Sequence, residues 1–367
     1  MSQSKIKAEE ELNIAKSVLR DMTDTQILEA KHFFDSLSRY KKLTKIYQTY
    51  IEGAEQALEN TGNGRMYCRY NIDGTVTGRL SNSGANVMSG SPKEGKIGVS
   101  FHTLPRESKD LGVNIRDYVV APDGWDFITV DMKAMELRVL AHVADEQNMI
   151  HAFQSGIDLH KYSASLTFGR PIEEIGDKSE ERQIAKEVSF LTVYGGTAYT
   201  LASKRNFSES RAEVIIASWM DAFPGVGRYM DYIDDYIKEF QYAKTLFGRF
   251  RHLPNIRSPL KSVRKGAFRQ GLNFTIQSPA SDILLCGMLG VIKKLKPFKA
   301  KVIATVHDSI ELISPKEETA EVVEIVRDEL VNYNYLRENF DIHLKVPLEV
   351  DIEVGRSFGS GEPYVIG

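Results

Sequence analysis

The chain has 367 residues, 42% of them hydrophobic and 26% charged, which gives it the apolar mass for a folded core and excludes a wholly disordered polymer. Its 47 Lys and Arg against 50 Asp and Glu leave a net charge of −3, which excludes a protein that grips a polyanion with its whole surface. The longest strongly apolar run, Ile283 to Ile292, contains two glycines and falls far short of the roughly 18 to 20 residues of a bilayer span, so no membrane partner is expected.

The first residues, Met1 to Leu12, are mostly polar and show neither an apolar leader nor an Arg-rich transit pattern, so a cytoplasmic protein is expected. Cys68 and Cys286 stand far apart without metal-ligand spacing, which signals neither a disulfide framework nor a zinc site. In chain order, apolar residues at Ile27, Phe34, Leu37, Leu43, Ile46, Tyr50, Ile51 and Ala54 predict one long amphipathic helix or a broken pair over 24–58. Gly62 to Pro105 reads as short strands and loops broken by Gly, Asn and Ser. Trp125 to Asp131 predicts a buried strand and Met135 to Val143 a helix. Helices are predicted from Ile150 to Ala243, punctuated at Gly156, Gly169 to Pro171, and Pro224-Gly225.

Lys301 to Val306 and Ile310 to Ser314 are β-branched runs joined through His307-Asp308-Ser309, which predicts a tight hairpin. A helix over Glu317 to Leu330 and a strand over Pro347 to Val354 follow. Strands flanking a helical middle predict an α+β sheet domain with a helical subdomain inserted. From Arg249 to Arg269 there are seven Lys or Arg and no acid, a run that suits either a solvated face or a phosphate-binding one.

Two chemical patterns stand out. Asp131 ends one strand and Asp308 sits at a hairpin tip, so pairing of these strands would bring two carboxylates to one sheet edge. Such a pair can hold two Mg²⁺ for phosphoryl transfer, and either acid taken alone also suits a capping role. Arg182, Lys186, Phe190 and Tyr194 recur every four residues on a helix expected to start after Ser179, forming one stripe with cations at its N-terminal end. A nucleoside triphosphate laid along it would place phosphates on the cations and the dipole, and sugar and base on the aromatics. Buried aromatics with solvated cations would give the same spacing.

Taken together these segments resemble a known family. Asp131-Met-Lys-Ala-Met-Glu136-Leu-Arg138 resembles motif A of family A DNA polymerases, Arg182-x3-Lys186-x3-Phe190-x3-Tyr194-Gly195 motif B, and His307-Asp308-Ser309 motif C. Thr77-Gly-Arg79-Leu-Ser81, Asp158-Leu-His160, Thr245-Leu-Phe-Gly-Arg249 and Arg269-x3-Asn273-x3-Gln277 extend the likeness over about residues 40 to 358, and it looks closest to bacteriophage members.

The resemblance implies a right-hand polymerase: partial thumb helices over 1–60, palm over 61–145 and 246–367, and fingers over 146–245. It implies a template-directed DNA polymerase with Asp131, Asp308 and the Met132 carbonyl as ligands of two Mg²⁺, Mn²⁺ being a possible substitute. Catalysis would draw on Asp131, Asp308 and Lys186. Arg182, Lys186, Phe190, Tyr194, His160 and Glu136 would bind the deoxynucleotide, Glu136 at the family's sugar gate. Arg79, Asn86, Arg249, Arg269, Asn273, Gln277 and His307 would contact primer-template DNA. The implied site of action is the cytoplasm, that of the host for a viral protein.

Departures from the pattern are also legible. Ser309 stands where the family's third motif has Glu, and Phe358 where a Trp is usual. Only 76 residues precede Thr77, too few for the family's proofreading exonuclease and complete thumb. The chain is therefore expected to be either one piece of a split polymerase, partnered by a separate polypeptide that carries the exonuclease and the remaining thumb, or an excised fragment. Two rival readings are a single-subunit RNA polymerase and a non-catalytic primer-template binding subunit.

Overall fold

In the computed structural model, residues 24–86, 95, 97–105, 112 and 114–365 are described. The reading of Met1 to Leu12 falls outside them. Contacts divide the chain into two compact units, 1–69 with 83–101, and 70–82 with 102–367.

In the first unit, helix α1 (Asp24–Lys45) passes into a π-helical stretch, Ile46–Glu52, and then into α2 (Gly53–Thr61). Of the two predicted alternatives, one long helix or a broken pair, the structure has the first, a continuous helical run widened where i→i+5 bonding replaces the α pattern. Gly62, at φ 61, ends it with a left-handed cap whose amide donates to the Leu58 carbonyl. Next in the sequence, and not confined to that unit, are two short strands, β1 (Cys68–Asn71) and β2 (Ser81–Gly84).

The second unit is built on a five-stranded antiparallel sheet. Its central strand, β3 (Trp125–Met132), buries Phe127, Ile128, Val130 and Met132 to 3% exposure or less, each side chain stabilising the fold by roughly 1.5–3 kcal/mol relative to exposure. After β3 come helices α3 (Met135–Val143), α4 (Gln147–Gln154) and α5 (Leu159–Phe168), then α6 (Glu180–Val193), α7 (Ala198–Arg205), α8 (Glu209–Ala222) and α9 (Pro224–Phe240). Local chemistry sets the boundaries: Asp158 caps α5, Ser179 caps α6, Ser208 caps α8, and Pro224 opens α9.

A small hairpin, β4 (Tyr242–Lys244) with β5 (Phe250–His252), ends the helical run slightly before its predicted limit. It leads into α10 (Lys261–Lys294), which the sequence reading did not predict. α10 packs against α3 and α9, and also against α11 (Thr319–Val331) and α12 (Asn334–Phe340), which follow the hairpin of β6 (Lys301–Val306) and β7 (Ser309–Pro315). It is the one described helix long and apolar enough to cross a bilayer, and 67% of that stretch is buried inside the fold. Strands β8 (Val350–Gly355) and β9 (Glu362–Pro363) complete the sheet order β6-β7-β3-β8-β9.

The β6–β7 register pairs Val306 with Ser309, which leaves His307 and Asp308 as a two-residue turn, tighter than the three-residue connection predicted.

Candidate active site

The sheet places the two aspartates as the strand pattern predicted. Asp131 lies opposite Ser309 on β7 and Asp351 on β8, and the Met132 amide donates to the Asp308 carbonyl at 3.1 Å. Lys133 draws the Asp351 carboxylate aside in a 2.8 Å ion pair. Ser309 is buried and hydrogen-bonded to Glu311 at 2.6 Å, a partner the sequence reading missed.

Glu136 ties the separate motifs together. It lies in the first turn of α3, two residues after the N-cap Ala134 in the left-handed region, and is 5% exposed. Arg79 donates through Nη2 to Glu136 Oε1 at 2.8 Å and to Asp308 Oδ1 at 3.1 Å. The Tyr194 hydroxyl donates to Glu136 Oε2 at 2.8 Å, and Gln277 Nε2 approaches Oε1 at 3.4 Å. Three segments distant in sequence thus converge on one buried carboxylate whose charge is balanced and hydrogen-bonded. Burial, reinforced by the Glu136 hydrogen bond and charge, raises the Tyr194 pKa far above the usual phenol range, with Arg79 opposing.

Arg79 owes its position to a close backbone approach. Gly78 is at φ 76, and a Cβ there would stand 3.2 Å from Arg249 Cζ. Arg249 is itself bound to Asp282, with 3.0 Å contacts through Nε and Nη2. Arg249, predicted as a DNA contact, therefore braces the loop that carries Arg79.

On α6 the predicted stripe is partly engaged with protein. Arg182 pairs with Asp158 at 2.7 Å and donates to the Asp177 carbonyl at 3.2 Å. Burial works against ionisation of Asp158, yet the Arg182 hydrogen bond, the Lys161 amide and nearby cations hold its pKa below the usual carboxylate value. Lys186 is exposed and forms no ion pair among the described residues. Phe190 is half-buried against the core, with its ring 6.1 Å from His160. Tyr194 is the C-cap of α6, so the stripe ends at Glu136. Burial lowers the His160 pKa to about 4; Asp158 opposes this, and Lys186 and Arg182 add to it. His160 is consequently a neutral ring at pH 7.

His307 turns toward a cleft of about 340 Å³ whose walls include Arg79, Ser81, His102, Ser281 and Thr305. It stacks on His102 at 5.4 Å, and His102 also contacts the Thr305 carbonyl at 3.0 Å. No pattern in the sequence pointed to His102. The side chain of Arg269 packs where a Cβ on Gly195 would stand, 2.4 Å from Cγ, so glycine at 195 (φ 63) permits that approach. Asn86 is exposed and belongs to the first unit.

Among the described residues, buried polar atoms without a hydrogen-bond partner include Arg79 Nε, His160 Nδ1, Arg182 Nε and Asn273 Oδ1. These four belong to residues the motifs selected, and Ser163 Oγ, Thr167 Oγ1 and Ser278 Oγ, which no motif selected, share the same state. No three His, Cys, Asp or Glu side chains form a metal cage among the described residues. Two carboxylates and a backbone carbonyl on neighbouring strands are instead a sparse all-oxygen donor set, which suits Mg²⁺ completing its shell with water and phosphate oxygens.

Comparison with known proteins agrees with this arrangement. The family model for DNA polymerase family A matches residues 1–360. Thermostable DNA polymerase I of Thermus aquaticus is 31% identical over 334 residues, covering 91% of this chain and 37% of that protein. DNA polymerase I of Caldicellulosiruptor bescii is 33% identical over 341 residues, covering 91% and 37%. The chain thus spans little more than a third of the length of these bacterial relatives. The POL domain of Pol1 from M. smegmatis, solved in complex with DNA primer-template and dNTP, superposes with a TM-score of 0.76 at 30% identity, covering 89% of this chain and 53% of that one. That likeness shows the α+β polymerase fold. With the family match extending over residues 1–360 and Glu136, Tyr194 and Asp308 of the three motifs linked directly or through Arg79, the chain belongs to the family A DNA polymerases.

Proposed function

We propose that the chain is a template-directed DNA polymerase core that adds deoxynucleotides to a primer 3′-OH. The observation that supports this best is the convergence of Arg79, Tyr194 and Gln277 on Glu136, with Asp308 held by the same Arg79. Asp131, Asp308 and the Met132 carbonyl would hold two Mg²⁺, or Mn²⁺ in their place. When bound, such ions supply Lewis-acid stabilisation of charge on the reacting phosphate. The chain's own residues bind and orient: Arg182 and Lys186 take the triphosphate, His160 and Phe190 border it, and Tyr194 links the end of α6 to Glu136. Arg79, Asn86, Arg249, Arg269, Asn273, Gln277 and His307 would contact primer-template, Arg249 while also paired with Asp282 beside the Arg79 loop. In this reading 1–60 is a partial thumb, 61–145 and 246–367 are palm, and 146–245 is fingers, and the protein works in the cytoplasm, that of the host if the chain is phage-encoded.

Primer extension with Mg²⁺ and either dNTPs or rNTPs tests the proposal. Extension with dNTPs alone supports it, preferential use of rNTPs favours an RNA polymerase, and DNA binding without extension favours a non-catalytic subunit. The same assay tests the sugar gate. Glu136→Ala opens space beside the sugar, so the ratio of ribonucleotide to deoxynucleotide incorporation should rise about 10-fold or more. An unchanged ratio removes Glu136 from that role.

The family match occupies residues 1–360, so these residues are accounted for by the polymerase fold and we expect no 3′→5′ exonuclease activity from them. In the first unit Leu28, Phe33, Phe34, Tyr40 and Leu43 are exposed along α1, and the Ile27 side chain is outside the described set. This apolar surface suits a second polypeptide that carries the exonuclease and completes the thumb. Alone, the chain should make short products that shorten steeply with salt, since few phosphate contacts hold the duplex. Long products at high salt, or excision of a mismatched 3′ end, would refute this.

A further inference from the structure

Beside the two aspartate-bearing strands lies a carboxyl group that the reaction above does not use. Glu311 is on β7, 1% exposed, and is paired in register with Thr129 on β3 and Ala304 on β6. Thr129 Oγ1 donates to Glu311 Oε2 at 2.7 Å. Ser309 Oγ stands 2.6 Å from Glu311 Oε1 and 2.8 Å from the Val306 carbonyl oxygen.

Counting hydrogens decides between two states. Ser309 has one hydroxyl hydrogen and two acceptors within reach if Glu311 is ionised, so one close oxygen pair is left without a hydrogen. A neutral Glu311 completes the chain: its hydroxyl donates to Ser309 Oγ, Ser309 donates to Val306 O, and Thr129 donates to Glu311 Oε2. The charged groups acting on it are Arg116, which favours the ionised form, and Asp131, which favours the neutral one. Burial raises its pKa to about 7, Ser309 and Thr129 pull it down with Arg116, and Asp131 adds to burial.

The positions of the bonded residues give this group a task. Val306 and Ser309 flank the turn that carries Asp308, and Thr129 precedes Asp131 by two residues. We propose that Glu311 is a positioning residue that, as a neutral acid donating to Ser309, fixes the Asp308 turn against the Asp131 strand. The proposal rests on the reading of Asp131 and Asp308 as the acids at the reacting phosphate.

The test compares wild type with Glu311→Gln and Glu311→Ala in single-turnover primer extension by the full chain at about pH 6, below the raised pKa so that the acid is neutral, with duplex affinity measured alongside. Gln can donate to Ser309 and accept from Thr129 as the neutral acid does, so Glu311→Gln should extend within about threefold of wild type. Glu311→Ala should slow extension by about tenfold or more, leaving duplex affinity and the dNTP KM unchanged, because misplaced reacting groups lower the rate of the chemical step.

Thermal stability gives an independent readout. A carboxyl raised from 4.5 to about 7 binds its proton more tightly in the folded state. Wild type should therefore lose stability relative to Glu311→Gln as pH rises from about 4.5 to about 7, with a constant difference above that. Glu311→Gln as slow as a mutant lacking the hydrogen bonds, a fully active Glu311→Ala, or a pH-independent stability difference would each overturn the proposal. If Glu311→Ala fails to fold, the comparison of Glu311→Gln with wild type decides it. A wild-type chain that extends no primer while the stability linkage holds would overturn the polymerase reading and the positioning role with it, leaving only the neutral carboxyl.

Discussion

Asp308→Ala and Asp131→Ala should each lower primer extension by a factor on the order of 10³ or more while duplex affinity changes little. Both acids are expected to act on the reacting phosphate through bound Mg²⁺, an interaction worth several kcal/mol in the transition state, and about 1.4 kcal/mol corresponds to each factor of ten. The two variants should differ in a second respect. Asp308 shares Arg79 with Glu136, so its removal leaves the guanidinium still paired and the loop in place. Stability and the dNTP-independent binding of DNA should therefore survive Asp308→Ala. Near-normal extension by either variant in Mg²⁺ would sink the assignment of the two aspartates.

Lys186→Ala should lower kcat/KM for dNTPs about 10²-fold, the size of effect seen when one pre-positioned charge on a developing anion is removed. Its α6 neighbour Arg182 is already paired with Asp158 at 2.7 Å, whereas Lys186 is exposed and has no ion pair among the described residues. Lys186 therefore meets an incoming triphosphate without first breaking a salt bridge. Lys186→Arg should keep part of the activity, since the charge remains but its geometry changes. Steady-state extension at varied dNTP concentration, with primer-template affinity measured separately, checks both. An unchanged kcat/KM, or a loss confined to DNA affinity, would move Lys186 out of the nucleotide site.

The parts of the fold that the sequence revealed are those where one periodicity dominates. Trp125 to Asp131 and the two runs about His307-Asp308 are short β-branched segments with clear ends, and α3 matches its predicted bounds, Met135–Val143. α10 was illegible for the opposite reason. From Gly271 to Leu284 almost every position is buried, so no polar face alternates with an apolar one, and Gly266, Gly271 and Pro279 all read as breakers. Tertiary contact on all sides sustains that helix where local propensity does not.

At the site, residue types and spacing selected the groups, and the structure assigned their partners. The motif marks Arg79 as a DNA contact, and the structure adds that it bridges two acids that lie 57 and 229 residues away in sequence. Such a pairing leaves no local pattern. Glu311 was hidden because a charged residue in a strand suggests a solvent-facing position, whereas β7 is buried along nearly its whole length and the carboxyl is accommodated only by hydroxyls from Thr129 and Ser309.

The backbone beside the two aspartates has one further consequence. Ala134, three residues after Asp131, and His307, immediately before Asp308, both hold left-handed conformations, at φ 48 and φ 57. Each such non-glycine residue is less favourable than glycine by roughly 1–2 kcal/mol. Both departures flank the acids, so selection for thermal tolerance alone would favour glycine at 134 and 307 and would remove the His307 ring from its stack on His102. At position 307, hardening this protein against heat therefore pulls against keeping the ring that lines the cleft beside Asp308, whereas glycine at 134 removes only a methyl group.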